Sequence, residues 1–252
     1  MTGKSDLAHL ILFCVNNRTG LASIYLFLLI SLSVQWAARA QTPIDSLRRA
    51  YDKLYGPDIL LINGKKYLPD ANPSEGHPFW GGKEPFNAEL FVDGKAFPEQ
   101  NVRYNLCEQM FLLNYQDDNR QPVQIILNPG AIDSVRIHDF LFIRNRNPEI
   151  GQRFIQRVYE GKLSCYQGWY KERAFQTFGN NKGLYLYSEA KKTPYLIKEG
   201  RVYRFHSKRT FQKIFPKEKQ SLIRKFLISH NIRLKGIGDN DLRRLIIYCE
   251  TI

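Results

Sequence analysis

The sequence predicts an α+β protein: an antiparallel meander sheet, flat or strongly curved, with a short helix before it and two or three helices after it. Three observations predict this. From Ala88 to about Phe175, short apolar stretches end at turn residues with the spacing of successive hairpins. Several stretches alternate, as Val102, Tyr104 and Leu106 do against Arg103 and Asn105, so that one face meets a core and the other meets water. After Ser207 the apolar period changes from that of a strand to that of a helix.

Residues 1–40 read as an export signal, with a basic flank at Arg18, an uncharged apolar run from Leu21 to Trp36, and small residues at Ala38 and Ala40. Cleavage falls between Ala40 and Gln41. The mature chain is then expected in the periplasm or outside the cell, with no lipid-bearing cysteine after the cut and no transmembrane helix. An uncleaved run would instead remain as an anchor, although it is near the short end of the about 17 to 25 residues that span a bilayer.

Thr42 can cap a helix opened by Pro43, whose Ile44, Leu47, Tyr51 and Leu54 recur at helical spacing until Gly56-Pro57 stops it. "DILLINGKKYLP" then reads as a strand with a turn at Asn63-Gly64, residues that tolerate positive φ. Pro69 to Pro85 is a loop. Within it "EGHPFWGG" sets His77 beside Phe79 and Trp80, a candidate ligand or catalytic spot of the kind loops carry. The same residues also serve a plainer purpose, the two aromatic rings pinning the loop to the sheet and His77 donating to a backbone carbonyl.

The strand series runs through "AELFV", "NVRYNL", "MFLLNY", "VQIIL", "SVRI", "FLFIR", "FIQRVYEG", "LSCYQGWYKERAF", "GLYLYS" and "TPYLIKEGRVYRFHS", the last turning at Glu199-Gly200. The body of the domain is thus residues 41–206. Residues 207–252 form a basic helical segment expected to pack on it. Ser207 caps a first helix and Pro216 starts a second, whose stripe is Leu222, Ile223, Phe226 and Leu227. Asp239 or Asn240 caps a third, with Leu242, Leu245, Ile246 and Cys249 at i, i+3, i+4 and i+7.

Charge divides the chain. Residues 41–190 carry 18 basic and 18 acidic side chains, whereas residues 191–252 carry 16 against 5, a surplus of +11. Arg204, Lys208, Arg209, Lys213, Lys217, Lys219, Arg224 and Lys225 are interrupted by one acid, Glu218. Such asymmetry points to an anionic partner: anionic lipid, lipopolysaccharide or an acidic protein surface. A docked helix also turns its bases outward without any partner, but an ordinary solvated helix mixes both signs. Nucleic acid is a poor match, because the export signal argues against it and the interleaved Tyr203, Phe205, Phe211 and Phe215 fall on core-facing positions.

The sequence contains no GxSxG, HExxH, phosphate-loop or Cys/His ligand pattern, and neither a metal nor a cofactor is expected. Cys107, Cys165 and Cys249 follow the cut, spaced too widely for a redox or zinc motif. His138-Asp139 is explained by a turn. "DILLINGKKYLP", "EGHPFW", "VRYNL", "VYEGK" and "TFQKIFPKEKQSLIRKFL" followed by "DLRRLIIY" resemble a loosely defined group of exported proteins of Gram-negative envelopes. The resemblance implies export and a sheet followed by helices, and carries no activity. The leading expectation is a non-enzymatic binding or structural protein whose basic end engages an anionic envelope component. The alternatives are a carrier holding an apolar ligand in a curved sheet, and a hydrolase whose site does not show in the sequence.

Overall fold

A computed structural model describes residues 58–117, 119–178 and 182–252; the export signal and the helix expected before Gly56 lie outside them. Turn chemistry builds the sheet. Asp93 and Gly94, with φ of 46° and 75°, and Glu199 and Gly200, with 52° and 76°, close hairpins through paired left-handed residues that match the twist of the flanking strands.

A four-residue helix, α1 (Ile59–Ile62), comes first. The strands that follow are β1 (Lys65–Lys66), β2 (Ser74–Glu75), β3 (Phe86–Val92), β4 (Lys95–Asn105), β5 (Met110–Gln116), β6 (Pro122–Ile126) and β7 (Ile132–Ile137). Then come β8 (Phe140–Arg144), β9 (Phe154–Tyr159), β10 (Leu163–Tyr170), β11 (Arg173–Phe178), β12 (Lys182–Tyr187), β13 (Lys191–Lys198) and β14 (Arg201–Arg204). Three helices end the chain: α2 (Lys208–Gln212), α3 (Lys217–Ser229) and α4 (Asp239–Thr251).

The main sheet has eleven strands in the order β1-β6-β5-β4-β3-β7-β8-β9-β10-β13-β14. It is antiparallel throughout and stays open. Two meanders, β3 to β6 and β7 to β10, join where β3 pairs with β7, Leu90 opposite Val135. The hairpin of β11 and β12 leaves this sheet, and β2 joins it in parallel beside Tyr185 and Leu186. The α+β class expected from the alternation and the late change of period is the architecture found.

Three local expectations are corrected. Ile59–Ile62 is helical rather than extended, because the Asp58 carboxylate accepts from the Leu60 N–H at 3.0 Å and Leu61 turns into the core; a short apolar run fits either period. "LSCYQGWYKERAF" divides at Tyr170, its second half entering the smaller sheet. Asn105, read as solvent-facing, is buried, its side-chain oxygen accepting from the Cys107 and Glu108 N–H groups at 3.0 Å each.

Two large apolar clusters and a smaller one of Ile150, Ile155, Tyr166 and Tyr195 occupy the described residues. The first gathers Tyr104, Phe111, Phe142 and Phe154 with Trp80, the Tyr104 and Phe111 rings stacked at 4.3 Å. In the second, Val158, Leu163, Cys165 and Leu196 of the sheet meet Phe211, Ile223, Leu227 and the α4 stripe of Leu242, Leu245, Ile246 and Cys249. Each such side chain contributes roughly 1.5–3 kcal/mol by leaving water. Cys107, Cys165 and Cys249 are free thiols. Burial raises the Cys165 thiol's pKa and pushes that of Cys249 up to about 12, so both behave as small apolar residues.

Strand alternation places a polar pair between the clusters, Gln156 facing Gln167. Gln156 accepts from the Trp169 indole at 2.7 Å and donates to Asp239, which also meets the Lys192 ammonium at 3.3 Å. This chain ties the start of α4 to three strands. Asp239 is itself the first helical residue, and Gly238 holds the cap position assigned from sequence to Asp239 or Asn240.

At the other end of α4, Glu250 accepts from the Leu163 N–H at 2.6 Å and from the Tyr159 hydroxyl at 2.8 Å. A Cβ on Gly161 would lie 2.6 Å from this carboxylate, so a larger residue there would displace the Glu250 side chain. The Leu163 N–H, then the Tyr159 hydroxyl, hold the Glu250 carboxyl below its usual pKa. A pKa lower in the folded chain than in the unfolded one gives stability that is present above the unfolded value, about 4.3, and lost as pH falls through the folded value. Glu250→Gln is therefore expected to melt with a flatter pH dependence than the parent below about pH 5, as thermal unfolding across that range will show; parallel curves would contradict the linkage.

Candidate functional site

The basic segment begins where β14 ends. Ser207 caps α2 by accepting from the Thr210 N–H, while the Thr210 hydroxyl oxygen accepts from the Ser207 N–H at 3.0 Å. This closes the first turn and sends Phe211 into the core. Pro216, which has no N–H to lose, starts α3. Ile223 and Leu227 face inward, and the Phe226 ring stacks on Tyr248 of α4 at 4.1 Å and 9°.

Seven of the eight basic side chains then turn outward. Arg204, Lys208, Arg209, Lys213, Lys217, Arg224 and Lys225 are exposed, and Lys219 is half-buried, donating to the Ile252 carbonyl at 2.5 Å. Among the described residues none of the eight meets an aspartate or glutamate side chain within ion-pair distance. Five earlier bases do pair: Lys95 with Asp58, Arg136 with Glu89, Arg144 with Asp133, Arg157 with Glu160, and Arg173 with both Asp70 and Glu108.

Leu222, expected in the buried stripe of α3, is instead 41% exposed, because Ile223, Leu227 and Phe226 already fill the side facing the sheet and α4. Ile228 is 62% exposed on the same helix and Ile247 is 42% exposed on α4. Water-facing Leu222 and Ile228 thus share α3 with the unpaired Lys217, Arg224 and Lys225. Among the described residues no helix is long and apolar enough to cross a membrane.

The loop residues have separated roles. Trp80 is buried edge-on against Phe140 and Phe142 at 4.9 and 5.4 Å, and its backbone N–H donates to the Tyr104 carbonyl at 2.9 Å. Phe79 is buried beside it and carries the Arg103 guanidinium at 5.1 Å. His77 is half-buried and accepts from the Phe79 N–H through Nδ1 at 3.2 Å, whereas the sequence suggested a donor to a carbonyl. Its own carbonyl accepts from the Lys171 ammonium at 2.8 Å. Burial, then the Lys171 and Lys83 charges, lower the imidazole's pKa.

No family model, curated protein or solved structure matches this chain. Its chemistry must be read from its own side chains. Among the described residues no group of three histidine, cysteine, aspartate or glutamate side chains could hold a metal ion. His138 sits in a turn with φ of 50°, its ring edge-on to Phe86, and His206 is exposed beside the α2 cap.

What the sequence reading missed is the cavity beneath the loop. His77 and Phe79 line a cleft of about 240 Å³ with Arg103, Tyr185 and Tyr187. A second, of about 480 Å³, adjoins it along β5 and β6; Tyr67, Arg103 and Gln124 line both. Only the alternation that turned Arg103 outward hinted at this. The tyrosines arrive from β12, more than eighty residues later in the chain, where no local pattern connects them to Arg103.

Proposed function

We propose that this is an exported envelope protein whose basic helical end docks on anionic lipid headgroups. One observation carries the proposal: the eight bases from Arg204 to Lys225 have no aspartate or glutamate partner among the described residues, while five bases of the earlier strands do. Three points support lipid as the anionic surface. Exposed Leu222 and Ile228 share α3 with Lys217, Arg224 and Lys225, and an interfacial helix combines apolar side chains with lysine and arginine in this way. Each base near an anionic surface contributes about 1 kcal/mol. The leader pattern of residues 1–40 supports delivery to an envelope.

The test is co-sedimentation of the purified protein with vesicles of phosphatidylethanolamine containing phosphatidylglycerol, against vesicles of phosphatidylcholine alone. Binding to the anionic vesicles only, lost on raising the salt because the charges are screened, is the expected result. Lys217→Gln, Arg224→Gln and Lys225→Gln together should weaken it about a hundredfold, three contributions of about 1 kcal/mol each. These side chains are exposed, so the fold should melt unchanged. Equal binding to neutral vesicles, indifference to salt, or a triple variant that binds like the parent overturns the proposal, as does a preference for lipopolysaccharide or an acidic protein over phospholipid.

A further inference from the structure

We infer that the double cleft around Arg103 is a binding site for a carboxylate-bearing sugar, a uronate. Arg103 projects from β4 between Val102 and Tyr104, both fully buried. Packing on both sides fixes its backbone, and the Phe79 ring supports its guanidinium at 5.1 Å. Its Nε is buried without a hydrogen-bond partner, and no carboxylate lies within ion-pair distance among the described residues. A planar, held guanidinium with unused donors is matched by a carboxylate, which takes two parallel hydrogen bonds from it.

The neighbouring groups extend the same preference. Asn114 accepts from Gln124 through its side-chain oxygen, which leaves its buried Nδ2 with no partner. Both orphaned polar atoms of this site are therefore donors, and a ligand rich in acceptor oxygens satisfies them. Of the acids on the walls, Asp70 is held by Arg173 at 2.9 Å and Glu84 is exposed, while Lys66 and Lys83 add positive charge. The site favours an anion.

Aromatic faces supply the shape. Tyr67, Tyr115, Tyr185 and Tyr187 line the two cavities, and Tyr185 is braced by Phe175 at 4.8 Å and by the Arg173 guanidinium at 4.9 Å. A tyrosine offers a flat apolar ring with a polar tip. A pyranose ring can lay its C–H face on such a surface while its hydroxyls reach Asn114 and Gln124. A peptide would use the same arginine but has less use for several ring faces beside free amide donors.

This site is independent of lipid docking. In strand order it belongs to β4, β5 and β6 at one end of the main sheet, whereas α4 packs against β9 and β10 toward the other. Lipid binding and sugar binding can therefore fail separately.

Isothermal titration of the purified protein with tetragalacturonate, its methyl ester and a hexaglutamate peptide tests the inference. The free uronate should bind, with the ester and the peptide at least about tenfold weaker, as loss of a charge-assisted bidentate pair requires. Arg103→Gln should abolish the preference for the free acid. Tyr185→Ala, on the small sheet, should weaken both sugars while the melting curve holds. Should Arg103→Gln fail to fold, Arg103→Lys keeps the charge and loses the planar fork, and is expected to weaken the uronate by about tenfold or more. No binding of the uronate, equal binding of acid and ester, tighter binding of the peptide, or uronate binding indifferent to the Arg103 and Tyr185 substitutions overturns it.

Discussion

Trp80→Ala is expected to destabilise the fold by about 3–5 kcal/mol, the range for emptying an aromatic site in a packed core. The indole lies within 6.1 Å, centroid to centroid, of four rings: Phe86, Phe140, Phe142 and Trp169. These come from β3, β8 and β10, three separate strands, so no single neighbour can move to fill the void. The loss would also release the loop that carries His77 and Phe79, because Trp80 is where that loop enters the first cluster. Denaturant unfolding of the variant should show a lower midpoint at an unchanged slope. A loss within about 0.5 kcal/mol, the range of ordinary surface substitutions, would mean that Trp80 does not anchor the loop and would return it to the candidate ligand contacts.

The comparison of Trp80 with Arg103 shows what was legible in the sequence. The strand series, the hairpins at Asp93-Gly94 and Glu199-Gly200, the Ser207 cap and the α4 stripe are local signals, each written in a few consecutive residues, and each is present in the structure. Their pairing partners were not legible. Nothing near Val92 says that β3 accepts β7 rather than leaving an edge, nor does anything near Tyr170 say that the chain leaves the main sheet. Leu222 fits the α3 period as well as Ile223 does; the cross-helix stack of Phe226 on Tyr248 settles which side faces inward. The cleft was beyond reach for the same reason, since its walls come from residues 66 to 187 and only the tertiary fold brings them together.

Phe211→Ala is expected to cost a similar amount, about 3–5 kcal/mol, in the other cluster. The ring is fully buried, between Phe205 at 4.9 Å and Phe215 at 5.4 Å, where it fastens the first of the basic helices to the sheet. The two clusters share no residue, so in a Trp80→Ala, Phe211→Ala double variant the two losses should add to within about 0.5 kcal/mol. A larger coupling would mean that Gln156, Gln167 and Asp239, which lie between the clusters, transmit strain from one to the other. The same variant separates two ways in which the tail could serve a surface. If docked helices are needed to present Arg224 and Lys225, Phe211→Ala weakens vesicle binding as it lowers stability; if unpaired charge alone suffices, binding survives while the melting temperature falls. The first outcome is expected, because the inward placement of Ile223 and Leu227 is what turns the cations of α3 to the water.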